Sequence, residues 1–392
     1  MSIVSIDSKI LTKLPMLALK TEWRLWLPGA IVVSIIANIL LSGWGHALVP
    51  DTSVPFTYSG DGLWVLAIIQ RLLEGSALES GRMGFPFDTN FYDFPGSDLG
   101  SLFILKGLAH ASGNPVAALN LFFLLSFSVT FLSAYLGLRY FGVHKYLAIL
   151  GAICFDFLPF HFSRIGHLFY TWYFVVPIFF CIGLSLLNLK IYGRLSVLKI
   201  LVAFGVLVVL SSFGVYYALF GVIVIMMSGL WAGLLQRQKA PFLVAAACAI
   251  TISLGVGLNI APSIKFKVDN GPNHEVAQRS PVESEVYGFK IIQLLLPHRS
   301  HRSSELSAIT QRYNQSAPLI NENATSSLGV IGSLGLMTIF ASLFLRAAGR
   351  DVSPQLSLLS VTLLVLVLFG TIGGFGAIFA NLISPLIRGW NR

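Results

Sequence analysis

Charge is what this chain of 392 residues has least of. Asp, Glu, Lys and Arg make up 11% of it, against 55% hydrophobic residues. A soluble domain carries about 25% charged residues, so the composition excludes a water-soluble globular fold and belongs to a polytopic membrane protein. Cysteine is scarce too. Cys154, Cys181 and Cys248 each fall inside an apolar run, which excludes a disulfide framework and leaves them as inert core residues. There is no Walker loop, HExxH, CxxC or GxSxG motif and no repeat of fixed period, so the usual nucleotide, zinc and nucleophile-elbow chemistries have no carrier. Gly373, Gly374 and Gly376 form a cluster without strand-helix context and read as a break in a membrane helix. Away from their ends, the long apolar runs hold essentially no ionisable residue. Coupled transporters place such groups near the midplane, so this lack disfavours one. The net charge of +9 sits in short clusters between apolar runs. That is the positive-inside pattern, so no nucleic-acid partner is expected.

What is there is a series of nine apolar runs, at about 26–48, 115–138, 146–160, 168–189, 200–213, 214–235, 241–260, 326–345 and 354–371. A span needs about 20 residues to cross a bilayer about 30 Å thick. The first run is too long for a signal peptide and has no evident cleavage site, so it reads as a retained span. Residues 373–386 are short and interrupted by Gly374, Gly376 and Pro385. They read as a re-entrant helix, backbone tolerated where it is buried in protein; a tenth span is the alternative. The expected fold is all-α: a polytopic transmembrane helical bundle of about nine spans plus a re-entrant helix, with helical outer loops. It forms a single domain over 1–392, and the abrupt stop after Arg392 reads as a truncation. Lys9, Lys13, Lys20 and Arg24 put the N-terminus in the cytoplasm, with 8–24 either an amphipathic surface helix or a basic tail. In that orientation every acid except Asp7, Glu22 and Asp351 lies outside or at the outer edge.

The candidate chemistry collects on that outer side. Residues 50–100 form the first outer loop, with seven acids against Arg71 and Arg82. Apolar positions at Leu63, Leu66, Ala67, Ile69, Leu72 and Leu73 have helical spacing, which predicts a short interfacial helix over 62–74. Asp61 then stands at its N-cap. It is the central candidate; the plain alternative is that it only caps the helix. Asp88, Tyr92 and Asp93 follow in an aromatic run. Asp51 and Asp98 read as solvated surface. The loop between the third and fourth runs supplies His161, Arg164 and His167, with Arg164 also able to pair with Asp156. The start of the sixth run supplies Tyr217. The long outer loop, 261–325, carries a His298–Arg302 basic stretch and Glu322, and the C-terminal end carries Arg388 and Arg392. Carboxylates serve as general base or metal ligand, Arg and His hold phosphate, and aromatic faces stack on sugars.

The order of these features resembles the GT-C superfamily, the polytopic membrane glycosyltransferases that use polyprenyl-phosphate-linked sugars. The residues that carry the likeness are 59–64, Ser-Gly-Asp-Gly-Leu-Trp, after the first span, the aromatic-proline run 91–96, and 160–168, which is similar to a loop in YfhO-like bacterial members. Gly62 follows Asp61, so the Asp-Glu pair of the mannosyl- and aminoarabinose-transferase branches is absent. The resemblance implies a catalytic Asp61 in a bacterial cytoplasmic membrane, with Asp93 or Asp88 assisting. Tyr92, His161, Arg164, His167, Tyr217, Arg388 and Arg392 would bind substrate, the three arginines at the carrier phosphate. The implied partners are a polyprenyl-phosphate-linked sugar donor and membrane lipid. The cofactor is left open, with Mg2+ or Mn2+ the divalent candidates and Asp93 or Asp88 the residues that would bind one. Two other readings stay open: a lipid or polysaccharide transporter or flippase, and a non-catalytic assembly partner that docks through 261–325.

Overall fold

The computed structural model describes residues 21–42, 51, 53–94, 96, 98–189, 197–276, 278–321, 323 and 326–391. Arg392, Glu322, Pro95, Arg194 and most of the expected surface helix over 8–24 lie outside the described residues.

The chain is a bundle of helices. Among the described residues the regular strands are one two-residue pair, β1 (Glu79–Ser80) and β2 (Thr89–Asn90), antiparallel with Glu79 opposite Asn90. Among the described residues, seven helical stretches are long and apolar enough to cross a membrane: Trp23–Ser42, Pro115–Tyr140, Lys145–Ser163, Ile165–Asn188, Val215–Gln236, Ala240–Asn270 and Gly329–Ala347. The chain is therefore a multi-pass membrane protein. Two expected spans come out shorter, as α-helices Val197–Leu210 and Pro354–Gly370.

The centre is α4 (Pro115–Tyr140), after α1 (Trp23–Ser42), α2 (Gly62–Glu74) and α3 (Leu99–Ser112). Asn114 starts α4 by accepting from the backbone N–H groups of Val116 and Ala117, with Pro115 in the first turn. That pairing of cap and proline is what a helix start prefers. Phe122, Phe123, Phe127, Phe131 and Tyr135 on α4 are fully buried, as expected for a helix apolar on every side. Around it pack α1, α3, α5 (Lys145–Asp156) and α7 (Val175–Ser185), with the short α6 (Pro159–Ser163) and a 3-10 turn, Ile165–Thr171, between the last two. A second layer comprises α8 (Val197–Leu210), α9 (Val215–Gln236) and α10 (Ala240–Asn270). After short loop helices α11 (Glu283–Val286), α12 (Ile291–Leu295) and α13 (Ser304–Ser316), α14 (Gly329–Ala347) and α15 (Pro354–Gly370) close the bundle.

Two departures from the sequence expectation, and the course of the last segment, bear on the site. α3 was not expected; its buried Ser101, Leu105 and Ala109 recur every fourth residue, a stripe too short to stand out in an apolar chain. α10 runs on past the expected end at residue 260. Polarity ends a span but not a helix, and Lys265 pairs with Asp269 one turn on at 2.9 Å before Gly271 turns the chain. The last segment, with α16 (Phe375–Leu382), comes back to where it started. Thr371 forms a parallel bridge with Phe289, Gly373 donates to Glu285 at 2.8 Å, and Arg388 donates to Glu283 at 2.7 Å. An eight-residue helix spans only about 12 Å, and both its flanks meet one loop.

The two ends of the bundle differ. At one end Arg139 pairs with Glu22 at 2.9 Å, and Arg346 lies over the Trp231 ring at 5.7 Å. At the other, the first loop, the 3-10 turn and the 271–323 loop meet.

Candidate active site

Asp61 is held from two directions at this second end. Gly60 adopts φ +60°, a conformation open mainly to glycine, and a Cβ there would lie 2.6 Å from the carbonyl oxygen of Gly166. The close approach lets Asp61 donate its backbone N–H to that carbonyl at 2.7 Å. One residue further, a kink in the 3-10 turn (φ −133°, ψ 64°) turns His167 toward the carboxylate. His167 Nδ1 donates to Asp61 Oδ2 at 2.7 Å, with Asp61 55% and His167 32% exposed. Asp61 does occupy the N-cap position of α2, but its side chain makes no cap hydrogen bond.

From Asp61, α2 runs along a cavity of about 530 Å³. Trp64, Ile68 and Leu72 line one wall, Phe91 and Phe94 a second, and Phe169 and Leu102 a third. Trp64 meets Phe91 and Phe169 edge-on, with centroids 6.1 and 6.4 Å away. The polar groups at the cavity are Ser76, Asp98, Lys106, Asn259 and Ser263. Asn259 accepts from the Leu99 backbone at 3.1 Å and donates to Ser212 at 3.0 Å, and with Pro262 and Ser263 just beyond it α10 carries one wall. Asp98 is half-buried, and burial pushes its carboxyl up to about 7. Its reading as solvated surface is corrected: the carboxyl lines the cavity beside Leu99 and Leu102.

The remaining sequence candidates separate into groups. Asp93 accepts from Asn273 Nδ2 at 2.8 Å, tying the first loop to the long one. Tyr92 is engaged: its hydroxyl donates to Glu79 at 2.6 Å, and its ring stacks on Phe266 at 4.6 Å. Asp88 is exposed on the β1–β2 turn. His161 is in the core rather than at the wet surface. It stacks on Phe127 at 3.7 Å, with Nε2 2.7 Å from Ser126 Oγ and Nδ1 3.0 Å from the Asp156 carbonyl. Its Nδ1 also lies 3.5 Å from the Asp156 carboxylate. The side chain beside the Asp156 carboxylate is thus the His161 imidazole, and among the described residues no Asp156–Arg164 salt bridge forms. Arg164 is buried with its guanidinium 5.0 Å from the Phe160 ring centre. Tyr217 is buried and donates to the Tyr170 carbonyl at 2.7 Å. Arg388 pairs with Glu283 and lies over Tyr287 at 4.8 Å, which fastens the C-terminal segment. Aromatic contacts link His167 to Tyr170 at 6.4 Å and Tyr170 to Tyr216 at 5.8 Å.

Asp61 and His167 are therefore the two predicted residues that the fold joins directly; Arg392 lies outside the described residues. Among the described residues, no three His, Cys, Asp or Glu side chains gather as a metal would need. Phe169, Asn259 and Lys106 were missed, because the elements that carry them meet only in three dimensions. Arg71 was noted only as a charge. Its spacing from Trp64 and Ile68 could have placed it on the cavity face of α2.

No family model, curated protein or solved structure matches this chain.

Proposed function

We propose that this protein is an integral membrane glycosyltransferase that moves a sugar from a lipid-phosphate carrier to an acceptor on the outer face of a bacterial cytoplasmic membrane. The observation that carries the reading is the Asp61–His167 pair at the end of a helix that walls an apolar, aromatic cavity. A carboxylate fixed by an imidazole and open to water suits a general base. An aromatic-lined cavity beside it suits the apolar chain and sugar of an amphiphilic donor. Asp61 would take the proton of the acceptor hydroxyl as its oxygen attacks the anomeric carbon. The carbon–oxygen bond to the carrier phosphate breaks, the phosphate leaves with the electron pair, and the proton stays on Asp61. His167 would hold the carboxylate in place. The basic clusters assign the N-terminus to the cytoplasm. With nine crossings, the seven long helices together with α8 and α15, Asp61 and a re-entrant last segment would both lie outside.

The test is transfer by the purified full chain from a panel of polyprenyl-phosphate sugars. Asp61→Asn should lower turnover by roughly 10²- to 10⁴-fold with thermal stability unchanged. Turnover within about threefold of the parent, too little for the loss of a positioned base, would return the transporter reading.

A further inference from the structure

Arg71 is a buried cation with no salt bridge among the described residues; Glu74 and Glu79 act on its charge only through space. Arg71 is 1% exposed, and Nε, Nη1 and Nη2 all lack a hydrogen-bond partner among the described residues. Its nearest acids are committed elsewhere. Glu74 accepts from Arg82 at 2.8 Å and from Gln70 at 2.9 Å, and Glu79 accepts from Tyr92. What covers the guanidinium is a ring: Phe91, with its centre 4.1 Å from Arg71 Cζ. A cation–π contact of this kind recovers part of what desolvation takes away, but an unpaired buried charge remains strongly unfavourable. Such a group invites a ligand that completes it.

The surroundings say where that ligand would stand. On α2, Ile68 follows Trp64 by four residues and Arg71 follows Ile68 by three, so the three share one helix face. Trp64, Ile68 and Phe91 all line the 530 Å³ cavity. Phe91 is thus a partition between the cavity and Arg71, carried on a loop stretch outside regular secondary structure. Lys106 is exposed at the cavity edge and adds a second positive charge, and Asp98 is an acid that lines the same cavity. Arg388, the cation first expected at a phosphate, is already neutralised by Glu283. We propose that Arg71 binds the phosphate of a single-chain lipid phosphate whose hydrocarbon occupies the cavity, and that Phe91 is the ring this phosphate displaces. A guanidinium offers a phosphate two parallel hydrogen bonds, and the walls offer the chain apolar contact. The inference rests on the glycosyltransferase reading for the identity of the lipid and deepens it by giving the donor phosphate a residue.

The experiment is equilibrium binding, without turnover, of farnesyl monophosphate, farnesol and inorganic phosphate to the full chain in detergent. The parent should prefer farnesyl monophosphate to farnesol by roughly tenfold or more, the worth of a charge-assisted pair. Arg71→Met should abolish that preference while the melting temperature holds or rises, because an unpaired buried charge is gone. A merely structural Arg71 would instead lower the melting temperature and leave the preference intact. Arg71→Lys should keep part of the preference, and Phe91→Ala should speed binding. A preference that survives Arg71→Met overturns the proposal, and an unchanged binding rate in Phe91→Ala overturns the role of the ring. Equal binding of inorganic phosphate keeps Arg71 as an anion site but overturns the lipid as its source. Because no transfer is measured, loss of this proposal leaves an Asp61-dependent transferase standing, and the reverse also holds.

Discussion

His167 reaches Asp61 across 106 positions of sequence with a 2.7 Å hydrogen bond, one residue beyond the Gly166 carbonyl that accepts the Asp61 backbone N–H. Two neighbouring bonds of this kind fix both the position and the direction of the carboxylate. Replacing His167 with Ala should lower turnover by roughly 10- to 100-fold with little change in the apparent KM of the donor. His167→Gln, which keeps a donor, should recover part of the loss. Steady-state kinetics on both variants test this; an Ala variant that changes only KM would make His167 a substrate contact instead.

Gly60 is the hinge of that arrangement. Gly60→Ala forces a Cβ to within 2.6 Å of a backbone oxygen at a φ of +60°. Backbone strain of this type costs about 1–3 kcal/mol. A fall in melting temperature together with a loss of transfer is expected, whereas Gly107→Ala, where nothing stands within 4 Å of the new methyl, should leave transfer unchanged.

Asp98 predicts a pH dependence. Its carboxyl is raised by burial from an ordinary 3.8 to about 7, so between those values the folded chain holds a proton that the unfolded chain has lost. Stability from this group is complete below about pH 4 and is lost as pH rises through about 7. The melting temperature of Asp98→Asn should therefore fall less between pH 4 and 7 than that of the parent. Since Asp98 makes no side-chain cap bond to α3, the substitution removes the charge without unpinning the helix. Parallel melting curves for the two proteins would contradict the assignment.

Ser303 caps α13 through a side-chain bond to the Leu306 N–H, in the loop that Asn273 ties to Asp93. A cysteine at 303 should react with a membrane-impermeant reagent in intact cells. Reaction only after the cells are opened would reverse the proposed orientation.

Much of the architecture was legible in the chain. A hydrocarbon layer accepts only backbone that satisfies itself, so length and hydropathy alone locate α4, α9 and α14, and helical spacing alone locates α2 from Gly62 to Glu74. Asp61 stood out because a carboxylate at a helix start in an apolar protein is conspicuous. What the tertiary structure decided is which groups stand together. Asp61 and His167 meet because Gly60 and Gly166 let two loops touch, a contact with no signature in either segment. Arg164 and His161 looked like site residues but are buried by Phe160 and Phe127, since nothing local distinguishes a wet loop from one folded back onto a core. Asp98 read as a solvated charge and Arg71 only as one of two basic residues in the loop, because burial comes from neighbours brought in from elsewhere: Phe91 over Arg71, and α10 on the cavity wall beside Asp98. Periodicity and polarity are local and survive in one dimension; desolvation and pairing depend on distances between remote residues, which packing alone sets.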